Sequence, residues 1–233
     1  MIVLTVLSGA TAMVQKTRHP RASQPRPEPP SAEAILAVEK RLSDLGYWTG
    51  PVDGKTDPAL RHALIAFQKA TGRKTTGLVS EEELTALNAA EKLLPLETGY
   101  SHVEVDLSRQ LLFLVDAAGT VSKILPVSSG NGKLFTEDGW TRRAVTPTGR
   151  FKVQRKLIGW RKSPLGELYY PNYILSGVAI HGNPAVPVRP ASHGCIRIPM
   201  FAAKDFSELT PVGTVVLVYE KSLPTRPDQA PKP

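Results

Sequence analysis

The chemistry of this chain centres on Cys195, which is the only cysteine among 233 residues. A thiol attacks a carbonyl as its thiolate, and a nearby imidazole is the side chain that usually removes the proton and holds the resulting ion pair. His181 and His193 both lie within fourteen positions of Cys195. Gly194 lets a substrate approach the backbone closely, and the amides around Cys195 can point at a developing oxyanion. The spacing therefore indicates a cysteine nucleophile with a histidine base.

The alternative role for a lone cysteine is that of a small buried hydrophobe, which is the more common use of this residue. Cys195 lies in the segment 180–199, which is polar and rich in glycine and proline. The segment has no apolar periodicity that would place residue 195 in a hydrophobic core. The surroundings favour the catalytic interpretation.

Two short motifs around this cysteine resemble a known family. The Ile-His-Gly at 180–182 and the Ser-His-Gly-Cys-Ile-Arg at 192–197 are similar to the signature of the L,D-transpeptidases (YkuD domain) of bacterial cell-wall synthesis. The Thr-Pro-Thr-Gly-Arg-Phe at 146–151 is similar to a recurrent element of that family, and the stretch 159–169 resembles its actinobacterial-type members. The likeness covers residues 100–220.

The resemblance implies a role for each residue that matches a motif position. His181 stands at the position of the family's base, the carbonyl of Gly182 would orient its imidazole, and Cys195 stands at the position of the nucleophile. The segment between His181 and Ser192 has ten residues, fewer than the family commonly has. The residues implied for the substrate groove, the oxyanion site and their hydrogen bonds are Ser192, His193, Gly194, Arg197, Tyr170 and Tyr173.

Some of these residues have a structural alternative. A structural ion pair is as good an interpretation of Arg197 as a substrate contact. The tyrosines, including Tyr169, have the alternative of core or surface packing, which is the more common use of aromatic residues in a β-domain.

The resemblance implies acyl transfer as the reaction, with no metal and no cofactor. Cys195 would attack the carbonyl of the diamino acid that precedes a terminal D-Ala in a stem peptide. D-Ala would leave, and the amine of a second stem peptide would open the thioester to give a 3→3 cross-link.

Three other functions remain open at this point. An L,D-carboxypeptidase would use the same residues and let water take the place of the amine. A zinc peptidase would use His181 and His193, but no Asp or Glu stands with them in a recognisable ligand spacing. A cell-wall-binding protein with little activity is the third alternative.

Residues 31–90 predict three helices. The first has apolar residues at helical spacing. Asp57 followed by Pro58 predicts an N-cap with proline at the first helical position of the second. Ser80 with Glu83 predicts a capping box at the start of the third.

The segment 34–88 resembles the small peptidoglycan-binding domain that is often joined to wall enzymes. The likeness lies in V-E-K-R-L-S-D-L-G-Y-W-T-G-P-V-D-G and A-L-I-A-F-Q-K-A-T-G, with Glu39 where that domain usually has Gln and Thr56-Asp57 where it has Phe-Gly. The alternative is a helical bundle that only packs on the catalytic half. Because the segment has its own period and caps, we expect it to fold alone and to be removable.

The apolar period changes to two from residue 101, which is typical of β-strands. The expected fold class is α+β multidomain, with a small three-helix N-terminal domain followed by a mainly-β, sandwich- or barrel-like YkuD catalytic domain at 96–222. Strands are predicted at 101–107, 110–115, 120–127, 149–153, 177–180 and 214–219, and a helix at 200–209.

The net positive charge of the chain favours anionic binding partners. The formal net charge is +8, and segment 96–222 holds 15 basic and 10 acidic residues. A basic catalytic half suits an anionic partner. No stripe of Lys and Arg with interleaved aromatic residues points to nucleic acid. Peptidoglycan stem peptides and glycan strands are the expected partners, and the protein is expected to be a monomer.

The N-terminal segment of the chain suggests export. Residues 1–15 are interpreted as a possible truncated signal segment, because they are apolar and contain Ala10-Thr11-Ala12. Segment 16–30 is a basic, Pro-rich linker, and 223–233 is a Pro-rich tail expected to be disordered. The N-terminal apolar run is too short to span a bilayer, which takes about 20 residues. The expected location is the cell wall or a periplasm-equivalent space.

Overall fold

The structure is a computed structural model, and it describes residues 29–137 and 139–220. The expected signal segment 1–15, the expected tail 223–233 and all but the last two residues of the expected linker lie outside the described residues. Within the described ranges, none of the helices has the length and apolar content that a bilayer crossing requires.

Three helices open the described chain, as the sequence predicts, and each begins at a capping side chain. Ser31 accepts the Ala34 N–H, Asp57 accepts the Leu60 N–H, and Ser80 accepts the Glu83 N–H. These bonds satisfy backbone donors that a helix start leaves without a partner. The helices are α1 (Ala32–Asp44), α2 (Pro58–Ala70) and α3 (Glu81–Ala89).

The capping box predicted for α3 forms only in half. The Ser80 hydroxyl accepts from the backbone of Glu83, but the Glu83 carboxylate does not return to Ser80. It accepts instead from the guanidinium of Arg73, with both oxygens 3.1 Å from Nε. A charged guanidinium within reach is a stronger hydrogen-bond donor to a carboxylate than a neutral backbone amide.

Glu39 closes the turn between α1 and α2. Its carboxylate is fully buried and accepts the backbone N–H groups of Asp53 and Gly54 at 3.0 and 2.8 Å. Asp53 itself bonds the backbone N–H of Lys55, so it is a turn residue. A carboxylate therefore holds this turn where the resembling domain usually has an amide.

The second half of the described chain is mainly β, which confirms the expected fold class. One sheet has the order β3-β2-β1-β12-β6, a second has the order β11-β10-β9-β7 with β8 on β9, and β4 and β5 form a separate hairpin. The strands are β1 (His102–Asp106), β2 (Leu111–Val115), β3 (Val121–Pro126), β4 (Leu134–Glu137), β5 (Trp140–Arg143), β6 (Gly149–Lys152), β7 (Arg155–Lys156), β8 (Trp160–Ser163), β9 (Gly166–Leu175), β10 (Val178–Asn183), β11 (Ile196–Pro199) and β12 (Val215–Tyr219), and helix α4 (Met200–Leu209) precedes the last.

The two sheets enclose one core. Strands β1, β2 and β12 of the first sheet and β9, β10 and β11 of the second contribute to it, together with α4. Phe206 of α4 is fully buried there. This packing of one sheet against another, with a helix at one side, is the sandwich-like arrangement that the alternating segments predict.

A second core joins the helices to the first sheet. Strand β2 is buried at all five positions. Leu112 and Leu114 face the core between the sheets, while Leu111, Phe113 and Val115 face the helices. Because a strand alternates its faces, continuous burial means that both faces of the sheet are covered.

The shared core argues against the expectation that segment 31–90 can be removed at no cost. Phe67 of α2 is fully buried and belongs to the same cluster as Phe113 and Ile124 of the sheet. Removing the helices would expose one whole apolar face of β2 and β3. The helical segment has its own caps, yet its apolar face is completed by the other half of the chain.

Several strands lie where the sequence predicts none. Hairpin β4–β5 has no buried residue among its described positions, so it lacks the apolar alternation that marks a strand. Strand β9 is ten residues long but contains Pro171 and a left-handed Tyr170 with φ of 47°, which break a regular period. Strand β11 has only four residues.

The shared core predicts one cooperative unfolding transition for the helices and the first sheet. Phe67→Ala removes a fully buried ring and is expected to lower the free energy of unfolding by about 3–5 kcal/mol. Urea unfolding followed by circular dichroism should show the entire transition shifting to lower denaturant. Leu78→Ala, at a side chain 64% exposed, is the matched control and should leave the midpoint nearly unchanged. Two separate transitions, with only the first sensitive to Phe67→Ala, would contradict a shared core.

Candidate active site

His181 and Cys195 come from neighbouring parallel strands. Strand β10 was expected to end at Ile180, but its pairing with β11 carries it three residues further, so His181 lies inside the strand. Ile180 lies opposite Ile196, and both are fully buried. This apolar pair fixes the register, and Cys195, the residue before β11, therefore lies beside β10. The N–H of Ala179 donates to Sγ of Cys195 at 3.4 Å.

The imidazole of His181 is held in one tautomer. Its Nδ1 lies 2.9 Å from the carbonyl oxygen of Gly182, a geometry in which Nδ1–H donates and Nε2 keeps a free lone pair. Burial lowers the pKa of His181 to about 4, the Gly182 carbonyl opposes this shift, and the charge of Arg197 adds to it. The ring is therefore a neutral base at neutral pH.

Gly182 has no room for a side chain. A Cβ there would lie 2.6 Å from Cβ of Ala203 and 3.1 Å from the ring of Tyr169. Since contacts under 3 Å are not tolerated, any larger residue would displace the backbone that orients His181. The close approach explains a glycine here without any appeal to backbone conformation.

The thiol of Cys195 is neutral at rest, which corrects the expected ion pair. Burial raises the pKa of Cys195, and the Ala179 N–H and the Arg197 charge lower it by less. Its Sγ also donates to the Gly177 carbonyl oxygen at 3.6 Å. The same burial that disfavours a thiolate disfavours an imidazolium. The structure therefore pairs a neutral thiol with a neutral base.

Hydrogen bonds within the Ser192–Cys195 loop, and one from the neighbouring Thr146, fix its conformation. Ser192 is buried, donates its hydroxyl to the carbonyl of Cys195 at 2.5 Å, and accepts the Gly194 N–H at 3.0 Å. Gly194 has φ of 141°, and a Cβ there would lie 3.1 Å from the Val145 carbonyl. Thr146 donates its hydroxyl to the Gly194 carbonyl at 2.8 Å. Ser192 and Gly194 thus shape the loop that carries the thiol.

These residues open into a cavity of about 440 Å³. His181, Cys195 and Arg197 line it, hairpin β4–β5 forms one wall, and the β8–β9 turn forms another. Segment 159–169, which resembles the actinobacterial-type members, supplies the β8–β9 wall. The β4–β5 wall has no signal in the sequence, because short exposed strands lack the apolar alternation that marks a strand.

Comparison with known proteins identifies the family. Residues 100–218 match the family model described as the L,D-transpeptidase catalytic domain, YkuD. This chain belongs to the YkuD family of L,D-transpeptidases. Residues 31–87 match a second model, described as "Putative peptidoglycan binding domain".

A solved relative supports the assignment over most of the chain. A crystal structure of an L,D-transpeptidase from Xylanimonas cellulosilytica, covering its residues 123–326, is 38% identical. The match spans 86% of this chain and 100% of that one, with a TM-score of 0.77. It includes both halves of the described chain.

Two curated relatives match only a part of this YkuD protein. The localization factor PodJL of Caulobacter vibrioides is 42% identical over 80 residues, which are 34% of this chain and 8% of that protein. The "Putative OxPP cycle protein OpcA" of Synechocystis sp. is 47% identical over 53 residues, which are 23% of this chain and 11% of that protein. The chain thus spans only a small part of the length of the curated relatives it matches.

The other predicted residues of the YkuD site fall into different places. Arg197 lines the cavity and, within residues 29–137 and 139–220, forms no ion pair, so the ion-pair interpretation is wrong there. His193 lines the cavity too, but it is exposed, and its ring lies 4.9 Å from the ring of Phe135 on β4. The structure brings Arg197 and His193 to the rim of the site.

Of the three tyrosines, only Tyr173 lines the cavity. Tyr173 lines the YkuD cavity, with the Arg155 guanidinium 4.2 Å from its ring centroid. Tyr170 is not among the lining residues, and its ring packs edge-on against Tyr169 at 4.7 Å. Tyr169 also packs against Trp160 at 4.9 Å, so this pair supports the β8–β9 wall from behind.

His181 and His193 do not belong to a metal-ligand cluster. Within the described part of the YkuD chain, no group of three or more His, Cys, Asp and Glu side chains is placed to hold an ion. The favoured chemistry of the cavity remains that of a thiol and an imidazole.

The neutral thiol predicts how Cys195 reacts with an alkylating reagent. Iodoacetamide should modify one site, and its rate should rise with pH to a midpoint above the value of free cysteine, about 8.5. Arg197→Met should move the midpoint higher, because the Arg197 charge lowers the pKa of this thiol. Cys195→Ala is the blank. Stopped reactions weighed by mass spectrometry give the rates, and a midpoint at or below pH 7 would establish the ion pair instead.

Proposed function

We propose that this chain is a peptidoglycan L,D-transpeptidase that forms 3→3 cross-links through a thioester on Cys195. The observation that carries the proposal is the His181 geometry. Its Nδ1–H is fixed by the Gly182 carbonyl, which leaves Nε2 free to accept a proton, and His181 lines the same cavity as Cys195. A base held in one tautomer and one orientation beside a nucleophile is what acyl transfer requires.

The first half-reaction forms the acyl-enzyme. As Sγ of Cys195 attacks the carbonyl carbon of the diamino acid that precedes a terminal D-Ala, Nε2 of His181 takes the thiol proton. The Gly182 carbonyl stabilises the transient imidazolium, since this bond raises the pKa of His181 against burial. The imidazolium then protonates the amine of D-Ala as the C–N bond breaks, and the thioester remains.

The oxyanion of this step is assigned to a backbone amide of the nucleophile loop. Ser192 already takes the Gly194 N–H, so Gly194 is not the donor that its position suggested. We assign the role to the N–H of Cys195 itself, at the start of β11. A fixed backbone donor stabilises developing charge without reorganisation at the moment of reaction.

The second half-reaction decides between the transpeptidase and the carboxypeptidase. An amine of a second stem peptide attacks the thioester, His181 takes its proton, and the thiolate leaves and is reprotonated. Water in the same place would give an L,D-carboxypeptidase with every catalytic residue unchanged. A wall-binding protein with little activity is the remaining alternative.

The proposal includes the setting of the enzyme. The chain would act on peptidoglycan stem peptides and glycan strands in the cell wall or a periplasm-equivalent space, as a monomer. Its peptidoglycan-binding segment would be 31–90 and its catalytic segment 96–222. The basic excess of the catalytic segment favours acidic stem peptides.

The decisive experiment combines the protein with a disaccharide tetrapeptide. Mass spectrometry of the intact protein should show one adduct equal to the donor less D-Ala, and none on Cys195→Ala. Mass spectrometry of the products should show a cross-linked dimer. Tripeptide without dimer would favour the carboxypeptidase, and a wild-type protein without adduct would refute the proposed reaction.

The two histidines are expected to differ in their effect on acylation. His181→Ala should lower the rate of adduct formation by about 10²–10⁴, the range of a general base. His193→Ala should lower it by less, because His193 is exposed and packs on Phe135. Adduct formed at a fixed time measures both. The roles would be reversed if the His193 variant failed to acylate while the His181 variant reacted.

The acid limb of acylation is expected to follow His181. Its pKa is about 4, so the base is neutral and active above that pH and is lost as pH falls through it. Single-turnover acylation between pH 3 and 7 should therefore have a midpoint near 4. Arg197→Met should raise the midpoint, since the Arg197 charge lowers this pKa. A midpoint near 6.5, the value of a free histidine, would mean that the imidazole is solvated.

A further inference from the structure

Lys69 joins the peptidoglycan-binding helices to the catalytic half by an unusual contact. It lies in the last turn of α2, and its ammonium donates to the backbone carbonyls of Gln110 and Val127 at 3.2 and 3.1 Å. Within the described ranges it forms no ion pair. Burial lowers the pKa of Lys69 to about 7. A cation that is costly to bury and has no anion beside it calls for an explanation.

The first link of this contact is Gln110, which is held in a strained conformation. Its φ is 56°, a left-handed value that a residue with a side chain seldom adopts. Its amide nitrogen donates to the Leu107 carbonyl at 2.7 Å and to the Ser129 hydroxyl at 2.8 Å, and its amide oxygen accepts the Ser129 N–H at 2.9 Å. The Gln110 carbonyl accepts the Val127 N–H at 2.9 Å as well as the Lys69 ammonium, so Lys69 adds a second hydrogen bond to the backbone of the residue that bonds Ser129.

The second link leads from Ser129 to the nucleophile loop. The Ser129 carbonyl accepts the N–H groups of Ala191 and Ser192, each at 2.9 Å. Ser192 in turn donates to the Cys195 carbonyl and accepts the Gly194 N–H. An unbroken series of hydrogen bonds therefore runs from a helix of the peptidoglycan-binding segment to the residue that bears the thiol.

A purely structural role explains this contact poorly. The surrounding shared core is apolar, and a Met at position 69 would fill a similar volume without the cost of desolvating an ammonium. A Met side chain could not donate hydrogen bonds to the carbonyls of Gln110 and Val127, as the Lys69 ammonium does. The specific gain from the ammonium is therefore a second hydrogen bond to the Gln110 carbonyl and one to the Val127 carbonyl, which together restrain Gln110.

We infer that Lys69 is a positioning residue for the active site, acting through Gln110 and Ser129 on the Ser192–Cys195 loop. The peptidoglycan-binding segment then completes the catalytic geometry as well as offering a binding surface. The kinetic consequence of this inference rests on the proposed acyl transfer. The conformational consequence can be measured in the substrate-free protein.

Hydrogen–deuterium exchange of the substrate-free protein is the first test. Lys69→Met should raise the exchange of the Ser192 and Gly194 amides by about tenfold, the factor that corresponds to one lost hydrogen bond. Lys69→Arg, which keeps charge and donors, should restore most of the protection. Lys40→Met removes an exposed lysine of α1 and should change nothing. Unchanged exchange in Lys69→Met would overturn the inference, as would an equal rise across both sheets.

Ser129→Ala keeps the inference testable if Lys69→Met fails to fold. It removes only the hydroxyl that Gln110 holds, outside the shared core. It should raise exchange at Ser192 while the helices keep their protection. Unaltered exchange at Ser192 in this variant would break the proposed series of bonds.

The rate of acylation is the second test. With the tetrapeptide donor at saturation, Lys69→Met should acylate about tenfold more slowly with an unchanged half-saturating concentration. Lys69→Arg should recover the rate, and Lys40→Met should match the wild type. An altered half-saturating concentration with an unaltered rate would overturn the positioning role. A wild-type protein that forms no adduct would refute the acyl transfer alone and leave the exchange result standing.

Discussion

The structure depends on strands β1 and β2, which are buried at every position. A sheet built largely of antiparallel pairs often leaves one face to solvent, whereas at β1 and β2 neither face is left open. The second sheet and α4 cover one face of both strands, and the three N-terminal helices cover the other face of β2. The two segments that match separate family models therefore form one packed body. That sheet also helps to position the thiol. The segment that follows β3 contacts the nucleophile loop, where the Ser129 carbonyl accepts the N–H groups of Ala191 and Ser192.

Burial also sets the chemical state of the site. It lowers the pKa of His181 and raises that of Cys195, so both groups are uncharged before a substrate arrives. A neutral pair has no ionic attraction to hold it together, and its geometry has to come from the frame. The frame supplies it through the Ile180–Ile196 pair, the Gly182 carbonyl and the Ala179 N–H. The rigidity of the strands replaces the charge that a more open thiol site would use.

Much of this arrangement is readable from the sequence, and the readable part has a physical reason. Caps and helix periods are local, so the three N-terminal helices are predicted with the caps Asp57 and Ser80 in place, and α4 with its observed bounds. The site motifs are also short and local, so the sequence alone identifies His181 and Cys195 as candidate catalytic residues.

What the sequence hides is what depends on distant parts of the chain. The protonation state of the site reflects burial by both sheets, so no motif could show that the expected ion pair is absent. Hairpin β4–β5 has no buried residue among its described positions, so its sequence lacks the apolar alternation that would predict a strand. Lys69 looks like a solvated helix residue in the sequence, and only the fold places Gln110 and Val127 against it. The shared core of segment 31–90 is hidden for the same reason, since its apolar face packs on a sheet whose first strand begins only at His102.

The parallel pairing of β10 with β11 limits how this active site can change. A parallel pair needs a crossover of about a dozen residues, because the chain must return to the same end of the sheet. Here 12 residues separate the two strands, and the last four of them are the nucleophile loop itself. The connection is thus close to the shortest that keeps the histidine and the cysteine side by side. The largely exposed stretch 184–190 could be lengthened to reshape the groove above it, whereas shortening it would separate the base from its thiol.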